Sequence, residues 1–156
     1  MAVPEKKGRE LLRLRRGMAR AEQVFAEIDR AALASSKLCS SDLEILDRVM
    51  RKGARPVNTL APKVGLTSGS MTTAIQRLKT RGLVETRRDS KDKRVIWVSI
   101  TNEGKKLATK CNQARAKALD ALFDSWTSRE QTLLSSLLKR LRKNNPQPSS
   151  KGARKI

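Results

Sequence analysis

The sequence contains no histidine, no tyrosine and only two cysteines, Cys39 and Cys111. Without histidine, the side chain best suited to proton transfer near neutral pH and to zinc ligation is missing. Neither a Cys-x-x-Cys nor a Gly-x-x-x-x-Gly-Lys pattern occurs, which removes the usual zinc sites and the common phosphate loop. Two cysteines cannot make a disulfide framework, so a reducing compartment is expected. Long apolar runs are lacking too. Nothing approaches the roughly 18 apolar residues of a membrane span, and Met1 to Arg20 is charged throughout with no signal-peptide core. These absences lead to the expectation of a cytoplasmic protein that is not an enzyme, with no metal, cofactor or membrane partner.

Acidic residues are also scarce. Fifteen Asp and Glu face 35 Lys and Arg, for a formal net charge of +20 and a pI near 11.1. Such a chain repels itself unless a polyanion neutralises it, which puts nucleic acid ahead of an anionic membrane surface. The excess is concentrated in residues 67–100, with eight basic and three acidic groups, and in residues 127–156, with eight and one. The stretch Asn144 to Ile156 holds two prolines, paired serines and few apolar residues, the composition of a disordered basic tail.

At 156 residues the chain suffices for one domain or for a core shared between two copies. Leu11, Leu14, Met18, Ala21, Phe25, Ile28 and Ala32 recur at steps of three and four, which predicts a helix over roughly 6–35. Ser41 with Glu44 suggests a capping box opening a second helix with Leu43, Leu46, Val49 and Met50, ended by Gly53. Pro56 suits the first position of a short third helix through Leu60, Ala61 and Val64, distorted by Pro62. Thr67 is placed to cap a fourth helix whose buried stripe is Met71, Ile75 and Leu78. Two strand-like runs follow, Leu83–Arg88 and Arg94–Ile100, around a polar turn. Thr101 opens a long helix carrying Leu107, Cys111, Ala114, Ala118 and Leu122, and a last helix spans about Ser128–Lys143.

The reading is thus a mainly α fold with a small β-hairpin wing: a winged helix-turn-helix over 39–100, flanked by terminal dimerisation helices in 1–38 and 101–143, with a disordered tail over 144–156. The winged segment alone is marginal in size, and pairing of the terminal helices would both stabilise it and supply the two-fold symmetry that palindromic DNA requires.

With Met71, Ile75 and Leu78 turned inward, Ser68, Gly69, Thr72, Thr73 and Gln76 point outward. Small hydroxyls and an amide can enter a major groove, and Gln76 can make a bidentate contact with adenine. Ser70, near the helix start, is placed to hold a phosphate beside free backbone donors. Arg77 is counted with this surface. Arg87, Arg88, Lys91, Lys93 and Arg94 crowd the wing, where arginine suits a narrow minor groove.

The stretch LTSGSMTTAIQRLKTRGLVETRRDSKDKRVIWVSITNEG, Leu66 to Gly104, resembles the MarR family of bacterial transcription regulators. The likeness lies in the recognition helix, the Gly-Leu-Val that starts the first wing strand, the Asp-x-x-Asp-x-Arg wing and the Thr-x-x-Gly helix start. The resemblance implies a homodimeric regulator bound to a palindromic double-stranded operator, acting as a ligand-responsive repressor. It implies that a basic wing residue enters the minor groove while Asp92 and Arg94 order the loop. The family often carries an arginine where Thr73 stands and acids where Gln76 and Lys79 stand, so this chain departs from the pattern toward general basicity.

The resemblance further implies a cleft for a small anionic aromatic, which by position would be walled by Phe25, Ile28, Leu43, Leu46 and Met50; the same residues also read as plain core. Cysteine sensing, the other route in the family, would fall to Cys39, just before a helix N-terminus, a setting in which thiols become reactive. A nonspecific architectural DNA-binding or RNA-binding protein is the alternative that the same charge allows.

Overall fold

The computed structural model describes residues 4–144. Most of the expected basic tail therefore lies outside the described residues. The chain forms α1 (Glu5–Leu33), α2 (Ser40–Lys52), β1 (Arg55–Pro56), α3 (Val57–Val64), α4 (Ser68–Thr80), β2 (Val84–Arg88), β3 (Ile96–Ile100), α5 (Asn102–Leu122) and α6 (Ser128–Lys143). The described residues form two compact units that divide after Ala118.

In the first unit α1 buries only Leu33, at its C-terminal end. The helix stops there, two residues short of the expected limit, because Ser36 turns back: its hydroxyl donates to the Leu33 carbonyl at 2.7 Å and its oxygen accepts from the Leu38 amide. The next helix opens differently from expectation. Cys39, not Ser41, is the N-cap of α2, and Asp42, not Glu44, reaches back to accept from the Cys39 amide at 3.2 Å. Leu43, Ile45, Leu46 and Val49 of α2 then enter the core, while Met50 stays half-buried.

Helix α3 is only eight residues long and contains Pro62, which deprives its second turn of one donor. It closes at Gly65 in the left-handed conformation, φ +71°, which glycine adopts without a Cβ penalty. Thr67 caps α4 as expected, its hydroxyl oxygen accepting from the Ser70 amide at 3.2 Å. Met71, Ala74, Ile75 and Leu78 face the core.

The hairpin is part of a three-stranded antiparallel sheet in the order β1-β3-β2. Sequence patterning missed β1, whose two residues pair Arg55 with Val98 and Pro56 with Trp97. Pro56 thus precedes α3 as its N-cap instead of opening it. Strand β2 runs beside β3 in a register that pairs Val84 with Ile100, Thr86 with Val98 and Arg88 with Ile96.

The Thr-x-x-Gly segment locks α5 onto the sheet. The Thr101 hydroxyl donates to the Gly82 carbonyl at 2.7 Å while its oxygen accepts from the Gly104 amide at 3.0 Å. Gly104 is buried, and a Cβ there would run into the Leu83 carbonyl oxygen. The buried stripe of α5 is accordingly Gly104, Ala108 and Cys111, with Leu107 half-buried and Ala114 exposed. This rotates the expected stripe of Leu107, Cys111 and Ala114, because backbone approach at Gly104 fixes which side meets the sheet.

In the second unit, Thr127 and Glu130 form a capping box that starts α6. None of its residues is buried, and Leu133, Leu137, Leu138 and Leu141 are exposed.

Candidate nucleic-acid interface

Helix α4 buries one side, and Ser68, Gly69, Ser70, Thr72, Thr73 and Gln76 are all exposed on the other. The threonines are partly committed within the helix. Thr72 Oγ1 donates to the Ser68 carbonyl at 3.0 Å and Thr73 Oγ1 to the Gly69 carbonyl at 3.2 Å. Their hydroxyl protons are thereby engaged, which leaves oxygen lone pairs and methyl groups to meet a partner. Gln76 is exposed beyond them, one turn from Thr72, with both its amide donors and its carbonyl on the same face.

Thr72, Gln76 and Lys79 of α4 line one side of a crevice of about 360 Å³ whose other side holds Thr86, Arg87 and Arg88 of β2. Val57, Ile75 and Ile96 complete its lining. The structure thus brings together the amide and hydroxyl of the expected base-reading surface with two of the expected wing cations. Lys79 was not among the expected site residues, although its position three residues after Gln76 places it on the same helical face. Ile96, expected to share a stripe with Val98, is 40% exposed and rims the crevice.

Arg77 does not share this crevice. Its Nε donates to Asp42 Oδ2 at 3.2 Å and its Nη2 to Asp42 Oδ1 at 2.5 Å, while Asp42 is almost wholly buried. The hydrogen bond to Asp42 pushes the Arg77 guanidinium above its ordinary pKa. Nη2 also lies 3.4 Å from Cys39 Sγ, so the thiol sits against this pair, exposed, with Ser41 Oγ at 3.1 Å. Arg81 makes a second tie, donating to the Ser36 carbonyl at 2.7 Å and to the Lys37 carbonyl at 2.8 Å. The C-terminal half of α4 is therefore held to the α1–α2 junction by two arginines. Arg77, its side chain 44% exposed, thus spends Nε and Nη2 between helices.

The turn between β2 and β3 is ordered chiefly by Asp89, the first residue of the Asp-x-x-Asp-x-Arg motif, whereas the loop-ordering role was expected of Asp92 and Arg94. Asp89 Oδ1 accepts from the amides of Lys91 at 2.9 Å and Asp92 at 3.1 Å, and Oδ2 accepts from Trp97 Nε1 at 2.8 Å. These bonds, the two backbone amides first, hold the Asp89 carboxyl below the ordinary aspartate pKa. Asp92 Oδ1 accepts from the Arg94 amide at 2.9 Å. Arg94 thus orders the loop through its backbone, which leaves its exposed side chain beside Lys91 and Lys93.

The expected cleft residues divide. Leu43 and Leu46 are completely buried among core residues, Ile28 and Met50 are half-buried, and Phe25 is 39% exposed. No cluster of metal-ligating side chains is present among the described residues.

Residues 38–96 match the MarR family model. The matched segment runs from the residue before Cys39 to the first residue of β3, and over it the chain is similar to the MarR family. It is 25% identical over 97 residues to the HTH-type transcriptional regulator YwhA of Bacillus subtilis, covering 62% of this chain and 70% of that one. Among solved structures, a cysteine-to-serine mutant of MarR from E. coli complexed with operator DNA superposes with a TM-score of 0.75 at 22% identity, over 85% of this chain and 95% of that one. BpsR of Bordetella bronchiseptica, whose DNA binding is regulated by 6-hydroxynicotinic acid, does so with a TM-score of 0.71 at 22% identity, over 80% and 89%. The chain thus shares the fold of MarR-type winged-helix regulators, and the crevice between α4 and the wing lies in the segment that the family model matches.

Proposed function

We propose that this chain is a MarR-type transcription regulator that acts in the cytoplasm as a homodimeric repressor and reads a palindromic operator, one α4 in each major-groove half-site and one wing on the adjoining minor groove. One observation carries the reading: Thr72 and Gln76 share a crevice with Arg87 and Arg88. Groups able to read base edges therefore stand beside groups able to neutralise phosphates, the combination that separates sequence choice from bulk attraction. The turn cations Lys91, Lys93 and Arg94 extend the charge outward, and the amides at the start of α4, near Ser68 and Ser70, suit a backbone phosphate.

Homodimerisation is supported by apolar side chains left exposed in the single chain, Leu11, Leu14 and Met18 on α1 and Leu137 and Leu141 on α6. A small anionic aromatic is the effector class we favour, supported by the relation to BpsR. Phe25, Ile28 and Met50 remain its best-placed walls, since Leu43 and Leu46 are occupied in the core.

Mobility shifts with an operator duplex and a random duplex test the assignment. Gln76→Ala lowers the preference for the operator by about 1–3 kcal/mol, while Arg87→Ala and Arg94→Ala weaken both duplexes and flatten the salt dependence by about 0.9 in log–log slope for each phosphate no longer neutralised. Unchanged binding in all three variants would refute this placement of the DNA surface.

A further inference from the structure

Helix α1 carries a second pattern besides its apolar seam. Lys6, Arg9, Arg13, Arg16 and Arg20 recur at steps of three, four, three and four, and all five are exposed. At 3.6 residues per turn they form one stripe about 21 Å long, roughly 150° around the helix from Leu11, Leu14 and Met18. The stripe belongs to a sharp asymmetry. Residues 5–20 hold seven basic and two acidic groups, whereas residues 21–33 hold one and three.

An isolated helix does not favour this arrangement. Arg9 with Arg13, and Arg16 with Arg20, are like charges one turn apart, which destabilise a helix, and Lys6 and Lys7 lie in the first turn, where the helix dipole disfavours cations. Glu5 relieves Arg9 through a 3.1 Å exposed ion pair. Arg16 and Arg20 have no acidic residue three or four positions away.

From this we infer that the basic face of α1 is a second, sequence-independent binding surface for the phosphate backbone of duplex DNA, separate from α4 and the wing. The stripe begins about 20 Å along the helix axis from Leu33, where α1 enters the core. Four of its five cations are arginines, which grip phosphate oxygens bidentately. No aromatic residue occurs between residues 5 and 20, so the face lacks the stacking platforms that single strands use. A membrane-surface helix needs its apolar stripe free to enter the acyl boundary, and that stripe is the one a dimer seam would bury. Pairing of α1 seams in a dimer would leave the basic stripes outward.

The test is anisotropy of a random-sequence duplex with the full chain against the combined variant Arg9→Gln, Arg13→Gln, Arg16→Gln and Arg20→Gln. Glutamine keeps helix propensity, and circular dichroism with sedimentation verifies the fold and assembly. The expected result is at least a tenfold loss at moderate salt and a log–log slope shallower by about 0.9 per phosphate set free. If the combined variant loses its assembly, Arg16→Gln with Arg20→Gln carries the test with about half the change in slope. Unchanged affinity and slope on DNA overturn the inference. So does a loss confined to phosphatidylserine vesicles, or one confined to single-stranded RNA. Gln76→Ala leaves the α1 contribution intact, so failure here and failure of the operator reading are told apart.

Discussion

The indole of Trp97 donates its N–H to Asp89 Oδ2 at 2.8 Å, while Asp89 Oδ1 accepts the amides of Lys91 and Asp92. One carboxylate thereby joins strand β3 to the turn that carries the wing cations. Because the Asp89 pKa is lowered in the fold, its contribution is present above the ordinary aspartate range and is lost as pH falls through the lowered value. The Trp97 indole proton resonance, isolated by Trp126→Phe, is expected to keep its hydrogen-bonded shift down to pH values below that of a free aspartate. Asp89→Ala is expected to move the resonance to its unbonded position at neutral pH and to broaden the Lys91–Arg94 amides. A titration at the ordinary aspartate pKa would contradict this account of the turn.

The Asp42–Arg77 pair makes a different demand. Asp42 is 1% exposed, so removing Arg77 leaves a buried carboxylate without its cation. Because the Arg77 side chain is itself 44% exposed, water softens the loss. Arg77→Ala is expected to cost about 3 kcal/mol in urea unfolding, the low end for breaking a buried pair. Replacing both partners by apolar residues of similar volume, Asp42→Leu with Arg77→Met, should cost much less. Equal losses from the single and the double replacement would show that the pair is not the source of the stability.

Gly104 predicts a steric effect. A Cβ at this position meets the Leu83 carbonyl oxygen and the Ile100 side chain, and the first of these is backbone that cannot swing aside. Gly104→Ala is therefore expected to destabilise by about 2–3 kcal/mol, the upper range for overpacking, despite the better helix propensity of alanine. Thermal unfolding of this variant against Gly8→Ala, which has open space around it, isolates the contact. A stabilised Gly104→Ala protein would show that α5 does not press on the sheet in this way.

These contacts also mark what the sequence made legible. Features set within a few residues were readable: Thr67 as the cap of α4, Met71, Ile75 and Leu78 as its buried side, and the two strands around the turn. Features that depend on a distant partner were not. Asp42 looks like a polar helix residue until Arg77, 35 positions away, is placed against it. Strand β1 is too short for any alternation to show, and only pairing with Val98 and Trp97 makes it a strand. The capping choice at α2 went to Cys39 and Asp42 because the chain enters from Ser36 and Leu38, a path that local preferences do not encode. At the candidate interface, the outward set on α4 followed from periodicity, whereas the tie of Arg77 to Asp42 and the bond of Asp89 to Trp97 depend on partners in other elements.

The most direct measurement is selection of bound duplexes from a random pool by the parent chain and by Gln76→Ala, read out by sequencing. The expected result is an enriched palindrome with half-sites about one helical turn apart, and a loss of preference at one matching position in each half-site for the variant. Recovery of no shared motif by the parent chain, or of the same motif with undiminished preference by Gln76→Ala, would contradict the operator reading.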